Sequence, residues 1–341
     1  MTRMSEKRIE KIGSKTLLDK AWADKPLNVI RNPHKLSEVE LHKTLEKIVE
    51  LPEKRLKSML KQGDKAIDEV FMQNIAERIP QFLTATVVNL TTTLLVQKDY
   101  FRDHPIWPVL EVELFKRRRN LNNEQLTSVL HAFGISGNGS KTFFHEMEEV
   151  VTDSQVPIET DYLVKVITGY AEIDLGSPEL YSMLIEKIIQ RDLSNIEPVK
   201  RTEIAKTLSK ATNVSKGGFG FYLEMEKSLK SDLHQGRMDF SELCKSAENI
   251  LSSNVGTNKF HDELEQFLVV NYDDQNVNEI VSLIKGLSLY QIKNEELNHL
   301  IFRSIFNNVE NFSVKQLEIL LWSFSRKQLA HDPNARIATD F

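Results

Sequence analysis

A single cysteine, Cys244, stands among 341 residues. With no second thiol, an internal disulfide and a thiolate metal cluster are excluded, and a reducing compartment is favoured. No run of 18 apolar residues occurs, so no segment can span a bilayer as a helix, and membrane contact, if any, is peripheral. Only 13 glycines and 10 prolines are present, many of them between periodic segments, which argues against a β-sandwich or barrel and for long helices. The N-terminal MTRMSEKRIEKIGSKTLLDK has no apolar core, as a secretory signal would. Its six basic and three acidic residues in the first twenty also make it more acidic than a mitochondrial presequence.

What is present is the composition of a soluble folded chain, 40% apolar and 27% charged. The length suits two or three domains or one extended array. The net charge of -5 is unevenly spread: residues 1–120 hold 23 Lys+Arg against 17 Asp+Glu, and the remaining 221 hold 21 against 32. A polyanion would prefer the N-terminal third, although a solvated helical surface explains the same numbers. Residues 1–35, with Pro26 and Pro33, read as an extended arm, and residues 36–341 as a single array.

A repeat organises that array. The first apolar residue of each candidate helix falls at Leu41, Leu83, Leu126, Leu163, Ile204, Leu243, Ile280 and Leu317, spaced by 37 to 43 residues. Four residues after these anchors come Val87, Leu130, Ile167, Leu208, Ala247, Ile284 and Leu321. Seven after come Leu90, Phe133, Tyr170, Ala211, Ile250, Leu287 and Phe324. Offsets 0, 4 and 7 share one face of a helix. Offsets 17, 21 and 25 repeat the pattern, as in Phe143, Met147 and Val151 or Phe260, Leu264 and Leu268, and predict a second helix. In the unit from Leu83 an insertion of about six residues moves these positions to Ile106, Leu110 and Leu114. The unit from Leu41 matches less well, with a helix ending near Leu51 and another around Ile67 to Ile79. The last unit has a first helix at Leu317 to Lys327, followed by a tail too short and polar for a full second helix. The fold predicted is all-α, an α-solenoid of stacked two-helix hairpins.

Between the helices, offset 13 is Gly139, Gly176, Gly217 and Gly256, and offset 14 is Ser140, Ser177, Gly218, Thr257 and Asn294. A glycine that closes one helix and a Ser, Thr or Asn that caps the next is the turn this pattern predicts. GISGNGSKT (134–142) therefore reads as a turn rather than a phosphate loop. Ser140 intrudes before Lys141, no strand precedes it, and the turn recurs without Lys-Thr. KGGFGF (216–221) reads likewise.

No residue set calls for a catalytic, cofactor or metal role. HEMEE pairs His145 with Glu149 where a zincin motif has a second histidine, and no third ligand is apparent. Cys244 has no histidine nearby in sequence to activate it. The acidic pairs Asp273–Asp274 and Glu295–Glu296 fit helix N-termini. The run Lys116, Arg117, Arg118 and Arg119 closes a second helix, where cations complement the macrodipole. It is also the one candidate contact for a polyanion or an acidic partner.

Paired helices of about 37 to 40 residues opening with L-x-x-x-L-x-x-[aromatic or aliphatic], with a small-residue turn between them, resemble the heptatricopeptide and octotricopeptide repeats of organellar proteins over residues 83 to about 327. HEAT-like and other α-solenoids share this unit size. The resemblance implies a mitochondrial protein that either serves as a non-catalytic accessory subunit of a large assembly, such as a ribosome or respiratory-chain complex, or binds RNA. The C-terminal RNA-processing domain that many such proteins carry is not seen, which favours the subunit; the alternative placement is the cytoplasm. Protein subunits are the expected partners, with RNA the alternative.

Overall fold

Chemistry at the helix ends lays out the fold. Ser37 accepts from the Glu40 N–H while Glu40 accepts from the Ser37 N–H, and this capping box starts α1 (Glu38–Val49). The same device starts α5 (Asn123–Ser136) through Asn122 and Gln125, and α11 (Phe240–Ser253) through Asp239 and Glu242. Ser313 and Gln316 repeat its bonds ahead of α15 (Val314–His331). Each pair lies four and one residues before an anchor, a start signal in the sequence that the apolar periodicity does not use.

The structure, a computed structural model, describes residues 30, 32–51, 70–153, 159–191, 193–214, 216–274, 276–288, 290 and 292–331. The expectations for the arm before Ile30, for the start of the helix around Ile67 and for the tail after His331 lie outside the described residues. Among the described residues the chain is all helical and no strand occurs.

The chain divides into two compact units, Met1–Gly169 and Tyr170–Phe341. The first contains α1, α2 (Gln73–Arg78), α3 (Thr84–Leu94), α4 (Ile106–Arg117), α5, α6 (Lys141–Asp153) and most of α7 (Thr160–Glu172). First helices stack on first helices, α1 on α3 and α3 on α5, and second helices on second, α2 on α4 and α4 on α6. The second unit contains α8 (Pro178–Ile189), α9 (Pro198–Leu208), α10 (Lys216–His234), α11, α12 (Asn258–Val270), α13 (Val277–Leu287), α14 (Glu295–Asn307) and α15. There α9, α11, α13 and α15 stack in order, while α8 packs on α10 and α12 on α14. This layering of consecutive hairpins is the helical-repeat architecture expected from the period.

The apolar register is largely as read. Val87, Leu130, Ile167, Leu208, Ala247 and Ile284 are buried, as are Met147, Leu184, Met225, Leu264 and Ile301. Removing such a side chain from water stabilises the fold by roughly 1.5–3 kcal/mol each. Two anchors depart from it. Leu83 is 71% exposed, because it is the N-cap position of α3; its N–H bonds Glu38 at 3.0 Å, and Phe82 is buried in its stead. In α15, Leu321 is 71% exposed and Leu317 and Phe324 are only partly covered, whereas Leu320 and Ser323 face inward. Ile30 and Pro33, from the predicted arm, are buried.

The predicted turn is present in three units with one geometry. At offset 11, Gly137, Asp174 and Asn254 take φ of 70°, 52° and 52°, and at offset 13, Gly139, Gly176 and Gly256 take 93°, 97° and 99°. The N–H groups of Asn138, Leu175 and Val255 bond the carbonyls of Phe133, Tyr170 and Ile250 at 3.0, 3.0 and 3.2 Å, which closes each first helix in a Schellman motif. Ser140, Ser177, Thr257 and Asn294 then cap the second helix by accepting from the N–H three residues on, at 3.0 to 3.2 Å. Gly217 departs from the expectation. It lies inside α10, which begins at Lys216, and neither it nor Gly218 is a turn residue. Here α9 ends early, at Leu208, and residues 209–214 follow it outside any helix. A different glycine pair sets the spacing of α5 and α7: a Cβ on Gly134 would collide with the Gly169 carbonyl, and one on Gly169 with that of Leu130. Only the missing side chains let the two backbones approach this closely.

Candidate functional site

The basic run at the end of α4 divides in two. Arg117 is a structural clamp: its Nε bonds Glu113 at 2.8 Å, and its terminal nitrogens bond the carbonyls of Phe82 at 2.6 Å and Pro80 at 3.2 Å. Arg118 donates to the Phe115 carbonyl and to Glu146, both at 3.0 Å, with its guanidinium 4.3 Å from the Phe115 ring centroid. Lys116 is exposed but bonds Glu113 at 3.2 Å, and Arg119 is exposed. Of the four predicted contact residues, Lys116 and Arg119 alone face solvent. Burial raises the Glu113 carboxyl, and the bonds from Arg117 and Lys116 outweigh it, so its pKa lies below the ordinary value.

At GISGNGSKT the acceptor is protein. The Ser140 N–H bonds Glu111 Oε2 at 3.0 Å and its hydroxyl bonds Glu111 Oε1, so a carboxylate occupies the anion position at the start of α6. His145 and Glu149 lie on the exposed face of α6. Among the described residues no group of three or more His, Cys, Asp or Glu could hold a metal, and no helix is long and apolar enough to cross a membrane. Cys244 is buried. Burial, then Glu279, Asp239 and Asp273, push its thiol well above the ordinary range, away from the nucleophilic thiolate.

The Glu111 contact recurs as a bracket between successive hairpins. Glu226 on α10 accepts from the Thr257 N–H at 3.0 Å and from its hydroxyl at 2.9 Å. Glu265 on α12 accepts from the Asn294 N–H at 2.7 Å and the Lys293 N–H at 3.1 Å. Allowing for the insertion, all three glutamates sit at offset 22 of one unit and hold the offset-14 cap of the next. Glu226 also pairs with Lys230 at 2.9 Å. Burial raises its carboxyl; Lys230 and the Thr257 donors outweigh that and leave the pKa lowered. A carboxyl depressed on folding stabilises fully above its unfolded pKa, roughly 4.3, and that contribution is lost as the pH falls through the folded value. Acid unfolding followed by circular dichroism should show a loss of stability below about pH 4.3 that is smaller in Glu226→Gln.

A second recurring bond plugs the turn from inside. Trp107 Nε1 donates to the Phe101 carbonyl at 2.7 Å, the Tyr181 hydroxyl to that of Leu175 at 2.8 Å, and His261 Nε2 meets that of Val255 at 2.7 Å. Each side chain reaches back six residues. The unit of α9 and α10 differs. Ala211 stands where other units place Phe133, Tyr170 or Ile250, and a cleft of about 470 Å³ opens between Ala211, Phe219, Tyr222 and the Asn254–Thr257 turn. Burial raises the Tyr222 hydroxyl to about 12, so it is neutral near pH 7. A fully buried pair, Arg201 with Asp232, joins α9 to α10; Ser228 also binds Arg201, and Arg237 bonds Asp232 at 3.2 Å.

Exposed apolar side chains occur on both α14 and α15. Phe302 is 45% exposed and Phe306 77%, one turn apart on α14, and on α15 Leu321 is 71% exposed and Trp322 47%. The Phe302 and Phe324 rings stack at 5.6 Å and 18°, forming an apolar floor between the two helices. Phe302 occupies offset 22, the bracket position that Glu111, Glu226 and Glu265 hold in three earlier units and Ile185 in another.

Comparison of the sequence with protein-family models and with curated proteins returns no match.

Proposed function

We propose that this chain is a non-catalytic helical-repeat subunit that docks protein partners within a larger mitochondrial assembly. The observation that carries the reading is the pair Phe302 and Phe306, exposed one turn apart on α14 where Phe302 stacks on Phe324 of α15, since adjoining large apolar side chains on a folded surface mark interaction sites. Its distinctive polar residues point the same way: the glutamates of the bracket and the arginines 117 and 118 are engaged within the fold. The resemblance to organellar heptatricopeptide and octotricopeptide repeats supports placement in a ribosome or respiratory-chain complex. Exposed Lys116 and Arg119 favour the second reading, contact with the phosphates of an organellar RNA.

The test is purification of the tagged protein from its native cells in mild detergent, with and without nuclease, followed by mass spectrometry and RNA sequencing. One stoichiometric protein assembly that survives nuclease is expected. Discrete RNA, with its protein partners lost after nuclease, would replace the docking reading by the RNA reading.

A further inference from the structure

We infer that the cleft between the end of α9, the start of α10 and the Asn254–Thr257 turn binds a small neutral molecule, an apolar body bearing one carbonyl group, and that the Tyr222 hydroxyl holds that carbonyl. This binding stands apart from the docking reading, which rests on α14 and α15. The repeat register shows what the unit lacks. Allowing for the insertion, Trp107, Tyr181 and His261 each sit at offset 18 of their units, and each meets a carbonyl six residues earlier in its own turn. Tyr222 stands at offset 18 of the unit from Ile204. Six residues before it is Lys216, the first residue of α10, whose carbonyl belongs to the ladder of that helix. Among the described residues the Tyr222 hydroxyl has no hydrogen-bond partner, and near pH 7 it keeps its proton and is a donor.

The same unit lacks bulk. Offset 7 is Phe133, Tyr170, Ile250 and Leu287 in other units, all buried, and Ala211 here. The space beside Ala211 is walled by Leu208, Val214, Phe219, Leu223 and Val255, and its volume of about 470 Å³ falls within the roughly 300–1,000 Å³ of small-molecule sites. A Cβ on Gly218 would collide with Val214, so the glycine lets Val214 lie against the start of α10 and close the wall. Charge selects among ligands. Glu226 lies in the same wall, ionised near pH 7, and both its oxygens already accept, from Thr257 and Lys230. Its charge repels a carboxylate, and its engaged oxygens call for no cation, which leaves a neutral acceptor for Tyr222. The mouth favours a small molecule over a protein chain: of its exposed lining residues Ser209, Asn254 and Thr257 are polar, and Phe219 alone falls short of the apolar patch that a protein interface buries.

The probes are benzylacetone, a ketone on a phenyl body, and hydrocinnamate, a carboxylate of like size, each titrated into the full chain by calorimetry and by amide NMR. Benzylacetone should bind with a dissociation constant of about 1 mM or below and shift the amides of Asn254, Val255 and Gly256. Hydrocinnamate should bind at least about tenfold more weakly. Tyr222→Phe should weaken benzylacetone about two- to tenfold, the share of one neutral hydrogen bond, at an unchanged melting temperature. Ala211→Phe, which restores the bulk of the other units, should abolish binding. Benzylacetone affinity indifferent to Tyr222→Phe would overturn the inference, as would hydrocinnamate binding as tightly as the ketone, shifts scattered away from the cleft, or no binding below about 10 mM. Tyr222→Phe removes one oxygen and keeps the ring, so it decides the matter even where Ala211→Phe does not fold.

Discussion

Leu130→Asp should destabilise the protein by more than about 4 kcal/mol, whereas Leu321→Asp, at the same register position, should stay within about 0.5 kcal/mol. Leu130 is fully buried in α5; truncating such a leucine to alanine already costs about 2–5 kcal/mol, and a carboxylate adds the penalty of an unpaired buried charge. Leu321 points into solvent and gives up no such burial. Because each hairpin is stable only against its neighbours, the loss at Leu130 should spread. Hydrogen exchange should show α3, α5 and α6 losing protection together. Denaturant unfolding followed by circular dichroism measures both variants, and equal stability of Leu130→Asp and wild type would dismantle the repeat register.

Asp232→Ala should cost about 3–5 kcal/mol, the usual consequence of stranding one member of a buried ion pair. Both side chains are almost fully enclosed, at 1% and 3% exposure, and Asp232 holds Arg237 as well. After the substitution the Arg201 guanidinium keeps, among the described residues, Ser228 as its side-chain partner. Replacing both partners by apolar residues of similar size, Arg201→Met with Asp232→Leu, should recover most of that loss, since neither desolvated charge then remains. Urea unfolding of the single and double variants checks it; a double variant no more stable than Asp232→Ala would mean that the pair has a packing role beyond its charges.

The helical faces were legible because burial repeats at the helical period: offsets 4, 7, 17, 21 and 25 are buried in most units. The turn glycines were legible for a comparable reason, since Gly139, Gly176 and Gly256 take a φ that side-chain-bearing residues rarely adopt. Gly217 shares their spacing without their conformation, because α9 ends early and α10 starts at Lys216. Spacing reports a position, and the neighbouring helix ends decide its backbone. Leu83 misled for a smaller reason: Phe82 takes the buried place one residue earlier.

Polar roles were the least legible. Arg117 reads in sequence as one of four adjacent cations at a helix end. Its partners, the carbonyls of Phe82 and Pro80, lie 35 and 37 residues away, where no local pattern connects them. The bracket glutamates fall 29 to 31 residues before the caps they hold. In the sequence they look like an ordinary solvated face; only the stacking of hairpins brings carboxylate and cap together. The exposure of Leu321 was hidden differently, since Leu321 and Phe324 follow the same pattern as their buried counterparts; among the described residues no further helix packs over them.

The bracket also gives the chain a direction. Each glutamate belongs to the earlier hairpin and each cap to the later one, so the acceptor always precedes the donors it serves. A chain made from its N-terminus, folding as it emerges, has every carboxylate in place before the helix that needs it appears. Loss of such a hairpin from the front leaves its successor's cap without its carboxylate acceptor, whereas loss from the back merely returns a glutamate to water. Growth and shortening of the array are thus unequal at its two ends.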